Sequence, residues 1–544
     1  MRAPVLGLAT AIVVAACPAV ASATDYCVPP NDNCAGTPVP SFDKALELAA
    51  QGTNADRIFL GDTTYVAQTG TGFTYNVQGS PLEIIGKGSG KTALTSPPGA
   101  SAVLNLDGGQ ASVRDLTIRI PQNAAAGASG LSTWESARGI DVVEDQTQTN
   151  THRGVVLSQG ASLEDSTVTL GGSQNTTAVV FGLGGGNVLR SALTAWEGVA
   201  SNYGGLIDRS RVTGVERGVY GMRDGTTITA TLVRFSKSGG AGIGALAGAG
   251  APTSVKADGV TIIGPGLANT FGVGATAGGL TPFENAELIL TNSIVRGVSS
   301  SIVAVGAGRG ADDANVRTSY SDYDPGGNTT FGSNGTITES NVSYVGDAGF
   351  VDPAVGDYHL RSSSPLLDRG DTVPSPGLDL DGNALITDGD GDGVARRDMG
   401  AFEHAAVVPV RAPAVDSTRP LITAFRADPS AFAVPKGTRL RYQLSEAARV
   451  TITIQRNVPG RRSGGRCVRP SRRLQHAKRC VRHRTVGTLK NAGVHGANKR
   501  RFTGRIAKRA LRQGSYRAVV RATDAAGNRS APKSVRLRVR RKAS

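Results

Sequence analysis

A run of alternating aspartates and glycines is the clearest metal-binding pattern in the sequence. In Asp388-Gly-Asp-Gly-Asp-Gly393, carboxylates occupy positions one, three and five of a calcium loop, and the glycine at position six permits a sharp turn. The twelfth position is Met399, whereas the acid comes one residue earlier. We predict a structural calcium ion here, with an acidic solvated turn as the alternative. The predicted ligands are Asp379, Asp381, Asp388, Asp390, Asp392 and Asp398.

A second set of charged residues recurs along the chain at a regular position. Asp165, Arg190 and Arg209 each occupy the third place of a repeated six-residue pattern, and Asp208 stands beside the last of them. Carboxylates beside arginines could perform acid–base chemistry on a glycan, or they could form ion pairs between neighbouring coils. The elements that carry them decide between these interpretations.

The repeated pattern reads aliphatic, two variable residues, small polar, variable, aliphatic. Its copies begin at Val113, Leu163, Val188, Ile207, Ile228, Val255 and Ile289. A small residue followed by an aliphatic one recurs in step, at Gly154-Val155, Ala178-Val179, Gly198-Val199, Gly218-Val219, Gly242-Ile243 and Gly272-Val273. Two such series in register indicate a solenoid. A further coil is predicted near Gly139-Ile140.

Side chains alternate along a strand, so two aliphatics five residues apart cannot share one face of a single strand. The pattern therefore requires a tight bend between two short strands. The small polar residue is expected at that bend, where it can satisfy backbone groups up the stack. These residues are Ser166, Ser191, Ser210, Thr231 and Asn292.

The first coil of a solenoid needs a cover. Residues 41–50 predict an amphipathic helix with Ser41 as its N-cap and Phe42, Ala45, Leu46 and Ala49 on one face. Arg57 to Tyr65 then predicts the first strand and turn.

The helix, the segments Ile58-Phe59-Leu60 and Leu82-Glu-Ile-Ile-Gly86, and the coils together resemble the right-handed parallel β-helix superfamily, also called pectin-lyase-like. A later region resembles the end segment of bacterial secreted β-helix proteins of the choice-of-anchor type. It is carried by Ser319–Tyr323, Phe350–Pro353, Asp357–Leu360, Ser364–Gly370 and Asp398–Glu403. The similarity covers about residues 38–404.

Polysaccharide lyases of this fold hold calcium with carboxylates and use an arginine as base. The resemblance therefore implies Asp165, Arg190, Asp208 and Arg209 as catalytic candidates, with a ladder of ion pairs as the alternative. The usual signatures of polygalacturonases and pectate lyases are missing from the coils. The six histidines show no metal-binding or nucleophile–base spacing.

The N-terminus predicts an export signal. Arg2 precedes the apolar run from Pro4 to Ala16, and cleavage after Ala23 follows the small residues Ala21-Ser22-Ala23. The alternative is a lipoprotein box ending at Cys17. No other apolar run is long enough for a membrane helix, and we expect a secreted or cell-surface monomer.

Four cysteines remain after such cleavage, in two close pairs. Export favours oxidation, so we predict the disulfides Cys27–Cys34 and Cys467–Cys480. A zinc site is the alternative, although no further ligand completes a suitable spacing.

Charge divides the chain in two. Residues 416–544 hold 34 Lys and Arg against four acids, a net of +30, so the rest of the chain carries −14 of the total +16. After a β-helix over 24–404, a linker over 405–418 leads to a module over 419–544 with period-two strand patterns. This module resembles an immunoglobulin-like or fibronectin-like β-sandwich, with a basic loop at Pro459–Arg484 pinned by Cys467 and Cys480.

These features favour a protein that binds extracellular or cell-wall polysaccharide, retained non-covalently by its basic module. A calcium-assisted lyase or glycoside hydrolase acting on an acidic glycan is the alternative. Nucleic acid is a poor partner because aromatics are not interleaved with the cations.

Overall fold

The computed structural model describes residues 23–31, 34–145, 150–171, 174–248, 251–278, 284–306, 312–324, 326–371, 377–405 and 416–541. The predicted signal segment and Cys17 lie outside these residues, as does most of the predicted linker. Contacts divide the chain into two compact units, Met1–Val407 and Val408–Ser544. No helix in the described part of the chain is long and apolar enough to cross a bilayer.

The first unit is a right-handed parallel β-helix, as the repeat predicts. Its strands pair into three parallel sheets that run along the solenoid. The first sheet contains, in spatial order, Thr37–Pro38, Asp25–Cys27, Asp56–Phe59, Leu82–Ile85, Ala111–Ile120, Ala137–Glu144, Ala161–Glu164, Gly186–Leu189, Gly205–Asp208, Asp224–Thr229, Thr253–Asp258, Ala286–Thr291, Ala314–Ser319 and Gly335–Ser340.

The second and third sheets follow the bend. The second contains Thr64–Val66, Ala93–Thr95, the C-terminal parts of Ala111–Ile120 and Ala137–Glu144, then Thr167–Thr169, Ala192–Ser201, Arg211–Gly221, Leu232–Phe235, Thr261–Ile263, Ile294–Arg296 and Asp322–Tyr323. The third contains Phe73–Thr74, Ala102–Leu106, Ala128–Thr133, His152–Leu157, Thr177–Phe181, the same two long strands Ala192–Ser201 and Arg211–Gly221, then Ala241–Leu246, Phe271–Thr276, Ser300–Val305 and Asn328–Phe331.

The core is a set of stacked aliphatic columns. Val188 pairs with Ile207, and Ile207 pairs with Ile228 one coil further on. All three side chains are fully buried. Parallel strands lie roughly 4.8 Å apart, so each side chain packs on its equivalent in the next coil. The coil predicted near Gly139-Ile140 is present as Ala137–Glu144, which confirms the stacking interpretation.

The small residues of the second series have a steric cause. A Cβ added to Gly198 or Gly218 would lie 2.2 or 2.3 Å from a valine methyl of the second sheet, Val212 or Val233 respectively. A side chain there would separate the second and third sheets. Glycine is therefore what lets the coil close to its narrow cross-section.

The bend itself lies at the third position of the pattern. Asp115, Asp165, Arg190 and Arg209 have φ between +45° and +59°, in the left-handed region. The following hydroxyl residue points inward and bridges two coils. The Ser191 hydroxyl accepts a hydrogen bond from the Ser166 amide at 3.1 Å and donates to the carbonyl of Leu189 at 2.9 Å.

This hydroxyl ladder continues through most of the solenoid, as predicted. Its members, each accepting from an amide of the preceding coil, are Ser166, Ser191, Ser210, Thr231, Ser293 and Ser321. Two predicted copies of the pattern are out of register. Ala257, not Val255, pairs with Ile228, and Leu290, not Ile289, pairs with Ala257.

That correction moves Asn292 off the ladder. It occupies the left-handed bend position with φ +50°, and Ser293 takes the ladder position. In the coil between Thr231 and Ser293 the ladder position is Val260, which has no hydroxyl.

The helix Phe42–Ala49 covers the first coils as expected. The Ser41 hydroxyl accepts from the Lys44 amide, and Phe42, Ala45, Leu46 and Ala49 are buried. The expectation that Arg57 begins the first strand is wrong. Asp25–Cys27 and Thr37–Pro38 extend the first sheet beyond Asp56–Phe59, held by the Cys27–Cys34 disulfide.

The described parts of the end segment, residues 345–371 and 377–405, pack against the later coils. Its hairpin Phe350–Asp352 and Asp357–Leu360 joins a cluster that includes Leu232 and Ile294 of the second sheet. The Arg397 guanidinium lies 2.8 Å from Asp258, and the Asn292 side chain accepts from the Asp371 amide at 2.6 Å. The end segment therefore covers the bends of these coils.

The second unit is an antiparallel β-sandwich. One sheet contains Ile422–Asp428, Thr438–Leu444 and Gly496–Phe502. The other contains Ala431–Ala433, Lys533–Arg540, Gly514–Thr523, Ala448–Ser463, Arg466–Val468 and Arg479–Gly493. A two-stranded ladder, Arg505–Ile506 and Arg509–Ala510, and a short 3₁₀ turn, Arg472–Leu474, complete it.

The segment predicted as a basic loop at Pro459–Arg484 is mostly strand. Backbone pairing continues from Asn457 opposite His483 to Arg461 opposite Arg479, because the hairpin simply extends beyond the sandwich. The Cys467–Cys480 disulfide forms near its tip, as predicted.

We expect Ser191→Ala to lower the free energy of unfolding by about 1–3 kcal/mol, because the buried Ser166 amide loses its acceptor. Thr194→Ala, at an exposed position of the same coil, should stay within about 0.5 kcal/mol of the native protein. Denaturant unfolding checks both. Equal losses in the two variants would contradict a stabilising ladder.

Candidate functional site

The four catalytic candidates lie along the bend edge and pair with neighbouring charges. Arg190 forms a two-point contact with Asp165, with Nε to Oδ1 at 2.7 Å and Nη2 to Oδ2 at 3.2 Å. Arg138 reaches the same carboxylate at 3.0 Å, and Glu164 lies 3.1 Å from Arg190. The Arg190 hydrogen bond lowers the pKa of Asp165.

The second pair is equally engaged. Arg209 Nε lies 2.8 Å from Asp208 Oδ2, and the Thr229 hydroxyl donates to Asp208 Oδ1 at 2.7 Å. All four side chains are thus committed to partners on adjacent positions. This arrangement favours the ion-pair ladder over a catalytic role for these residues.

The six predicted calcium ligands do not form one cluster. Asp379 is buried and accepts four hydrogen bonds, three of them from backbone amides. Asp381 pairs with Arg211 and His359, and Asp392 pairs with Arg396. Asp398 is buried and accepts from the amides of Asp368 and His404.

Two of the predicted ligands do come together, with a residue that sequence reasoning missed. Carboxylate oxygens of Asp368, Asp388 and Asp390 lie within 4.8 Å of one another. Asp368 approaches the loop from 20 residues upstream and accepts from the amides of Gly389 and Asp390. Three convergent carboxylates suit a hard cation, and calcium at this loop stays a prediction, now with Asp368, Asp388 and Asp390 as its expected ligands.

A group of buried acids lies beside this loop. Glu403 Oε2 accepts from the Asp398 amide at 3.1 Å, and Glu403 Oε1 lies 3.9 Å from Arg397. Burial raises the pKa of Asp398 to about 6, and burial together with Asp398 raises the pKa of Glu403 to about 9. The raised pKa favours the protonated form of the Glu403 carboxyl at neutral pH.

A groove crosses the outer face of the third sheet on a different side of the solenoid. We call it the outer groove; it has a volume of 440 Å³. It is lined by Gly127, Thr151, His152, Arg153, Val156, Asn175, Thr177, Val180, Gly182, Ala200, Asn202 and Tyr220. Val156, Val180, Ala200 and Tyr220 are paired in register on successive coils, so they form one continuous row.

A hydrogen-bonded cluster flanks this row. Glu197 Oε2 accepts from the Tyr220 hydroxyl at 2.9 Å and from the Thr177 hydroxyl at 3.3 Å. Glu197 Oε1 lies 3.0 Å from Arg217. Burial, followed by the nearby Glu197 charge, raises the pKa of Tyr220, so its phenol is neutral.

Arg153 is the cation of the groove that lacks an acidic partner. Its side chain is exposed, and it pairs in register with Thr177 of the next coil. No described carboxylate lies within ion-pair distance of its guanidinium. Its charge is close enough to oppose the rise in the Tyr220 pKa. A guanidinium in this position can bind a carboxylate or sulfate without breaking an existing pair.

His152 also borders the groove, although no role follows from its sequence context. Its Nδ1 lies 3.2 Å from Glu144 Oε1, and both side chains are buried. Glu144 Oε2 accepts from the Gly171 amide at 2.7 Å. The pair anchors the groove's rim at the start of strand His152–Leu157.

Comparisons with known proteins do not assign the chain to a family. No family model and no curated protein matches the chain. Among solved structures, the A-module of the mannuronan C-5 epimerase AlgE4 of Azotobacter vinelandii is similar at 13% identity and a TM-score of 0.30, over 56% of this chain and 87% of that one. A mannuronic acid-specific family 6 polysaccharide lyase from human gut microbiota is similar at 12% identity and a TM-score of 0.32, over 59% and 83%. The strand pairing of the chain itself defines a parallel β-helix followed by a C-terminal β-sandwich.

Calcium should raise the melting temperature of the native protein, and Asp390→Asn should reduce that rise, because the cluster loses a charged ligand. Asp392→Asn is the matched control, since Asp392 pairs with Arg396 outside the cluster. Thermal unfolding with and without chelator measures the effect. Identical calcium responses in the two variants would refute the cluster as the binding site.

In the presence of chelator, the free energy of unfolding should fall as the pH rises from 5 towards 9. Folded Glu403 keeps a proton up to about pH 9 that the unfolded chain releases near its ordinary pKa of about 4.3, so the stabilisation present at low pH is lost. Between these two pKa values the free energy of unfolding should fall by about 1.4 kcal/mol for each pH unit. Glu403→Gln should flatten the dependence, and exposed Glu47→Gln should not.

Proposed function

We propose that this protein binds an acidic polysaccharide in the outer groove, outside the cell, while its basic C-terminal module holds it on a polyanionic envelope component. The observation that carries the proposal is Arg153, an exposed guanidinium without an acidic partner among the described residues, set at the edge of a 440 Å³ groove.

The shape and lining of the groove support a glycan. Val156, Val180 and Ala200 provide an apolar row along the solenoid axis, and Asn175, Asn202 and Thr177 provide amide and hydroxyl groups beside it. Sugar rings present apolar faces and polar edges, so a site of this type needs both kinds of surface. The lining residues repeat from one coil to the next, as sugar residues repeat along a linear polysaccharide.

The hydrogen-bonded cluster that flanks the row gives the groove a fixed form. Glu197 is held by Tyr220, Thr177 and Arg217 at once. A binding surface whose polar groups are already hydrogen-bonded loses little side-chain freedom when a ligand arrives. Arg153 remains the group whose charge is available to the ligand.

The charge of the second unit supports retention on a polyanion. Residues 416–544 carry a net of +30, which attracts anionic polymers over long range at low salt. The Cys27–Cys34 and Cys467–Cys480 disulfides are typical of exported proteins. They support a secreted or cell-surface location, as does the resemblance of the end segment to choice-of-anchor proteins.

A lyase or hydrolase acting on an acidic glycan is the second candidate, and Tyr220 favours it. Its neutral phenol lies in the same groove as Arg153, where it could donate a proton to a leaving oxygen. The bend-edge residues Asp165, Arg190, Asp208 and Arg209 give this candidate no support because their charges are already paired.

Arg153→Gln should weaken binding to acidic polysaccharides by roughly tenfold, because one charge-assisted hydrogen bond is lost. Arg138→Gln removes the same charge from the bend edge, where Arg138 pairs with Asp165, and should bind like the native protein. Isothermal titration with oligouronates and with neutral oligosaccharides of equal length measures both.

The same incubations distinguish binding from catalysis. Unsaturated products or new reducing ends that disappear in Tyr220→Phe would establish the enzymatic candidate. Equal affinity of the native protein for acidic and neutral oligosaccharides would remove the role assigned to Arg153.

A further inference from the structure

We propose that the outer face of the three-stranded sheet in the second unit is the surface that holds the anionic polymer, and that it recognises a polysaccharide with a carboxylate on each sugar. The inference rests on the proposed retention by the basic module and assigns it to one face. We call this surface the cationic face; its charged members are Arg426, Asp428, Arg439, Arg441, Lys499 and Arg501.

The strand register places like charges directly opposite one another. Arg426 pairs with Arg441, and Arg441 pairs with Lys499, which makes a row of three cations across three strands. In the next row Arg439 pairs with Arg501 on one side and with the acid Asp428 on the other. Side chains at such positions lie roughly 4.5–5.5 Å apart at Cβ, and like charges there destabilise a sheet.

Little on this face offsets that repulsion. Asp428 is the single acid at its described outward positions, and its carboxylate lies 3.8 Å from Arg441. Arg441 Nε is buried and has no hydrogen-bond partner. An arrangement that costs stability in the free protein and leaves a buried donor unpaired is the expected property of a binding surface.

The face also has room for a ligand. Small or uncharged residues, Ala424, Gln443 and Ala497, lie beside the row of cations and leave a recess of 340 Å³. A polymer crossing the strands would meet one cation per strand, at a spacing of roughly 4.8 Å. One sugar residue advances a linear polysaccharide by a similar length, so each carboxylate can meet its own cation.

The opposite sheet is basic in a different way. Arg536, Arg538 and Arg540 follow one strand, but Arg538 faces Ser515 and Ala431, and Arg540 faces Ala433. Cross-strand pairs of cations are present there as well, Arg517 with Arg536, Arg456 with Arg484 and Arg461 with Arg479, but none of them continues to a cation on a third strand. This sheet therefore provides a control of equal charge without a row of three cations across three strands.

The test compares two triple variants of the full chain. The first, Arg426→Gln/Arg441→Gln/Lys499→Gln, removes the row of the cationic face. The second, Arg521→Gln/Arg536→Gln/Arg538→Gln, removes three exposed cations of the opposite sheet. Each lowers the net charge by three. Binding to immobilised polygalacturonate is measured against salt concentration, with neutral dextran and duplex DNA as competitors. We expect the first variant to lose about tenfold in affinity at low ionic strength and the second to stay within about twofold.

Melting temperature separates binding from folding. The first variant should melt at or above the native temperature because it loses repulsion between strands. Lys499→Gln alone, on the edge strand, should give a smaller loss of affinity in the same direction, so the test remains valid if the triple variant folds poorly.

Equal losses in both triple variants would overturn the cationic face while leaving retention by overall charge intact. A native protein that ignores polygalacturonate would instead refute the proposed retention itself. Stronger competition by DNA than by free polygalacturonate would overturn the assignment of a carboxylate polysaccharide.

Discussion

The packing of each residue on its equivalent in the next coil is the constraint on which this protein depends. A coil of three short strands buries its aliphatics only if the coil above repeats them at the same place, and if the sheets approach closely enough to exclude water. Gly198 and Gly218 show how tight that approach is, since a single added carbon would overlap a valine of the facing sheet. Every surface feature inherits this geometry, because outward residues are also stacked at the strand spacing.

Stacking explains why charge appears in two forms on the same solenoid. At the bends, the left-handed position projects Asp165 and Arg190 outward on adjacent coils, where opposite charges meet and neutralise each other. On the third sheet, Arg153 stacks on Thr177 and leaves its charge unpaired. Whether a charged residue on the solenoid is paired or left unpaired thus depends on the residue one coil away.

The repeat, the capping helix, both disulfides and the hydroxyl ladder were predictable because each rests on local spacing. The pairing register of the strands was harder to predict from the sequence. In Thr253–Asp258, Val255 faces inward like the true position, Ala257, so the pattern fitted two residues early. In Ala286–Thr291 the less buried Ile289 stands directly before the true position, Leu290, so the pattern fitted one residue early. The outer groove was not predictable, since Arg153, Glu197 and Tyr220 come from three strands and only their pairing brings them together. Asp368 escaped notice for the same reason.

The long hairpin of the second unit limits what a trypsin-like protease can do to this module. Its tip, between Arg466–Val468 and Arg479–Gly493, contains the exposed residues Arg469, Arg472, Arg473 and Arg479, all inside or beside the ring closed by Cys467 and Cys480. A trypsin-like enzyme that cuts this turn cannot release either arm, because the sulfur bridge still joins them and the paired strands remain in place. A nicked molecule would keep its positive surface, and with it the retention proposed above, so cleavage at these exposed arginines need not separate the two strands.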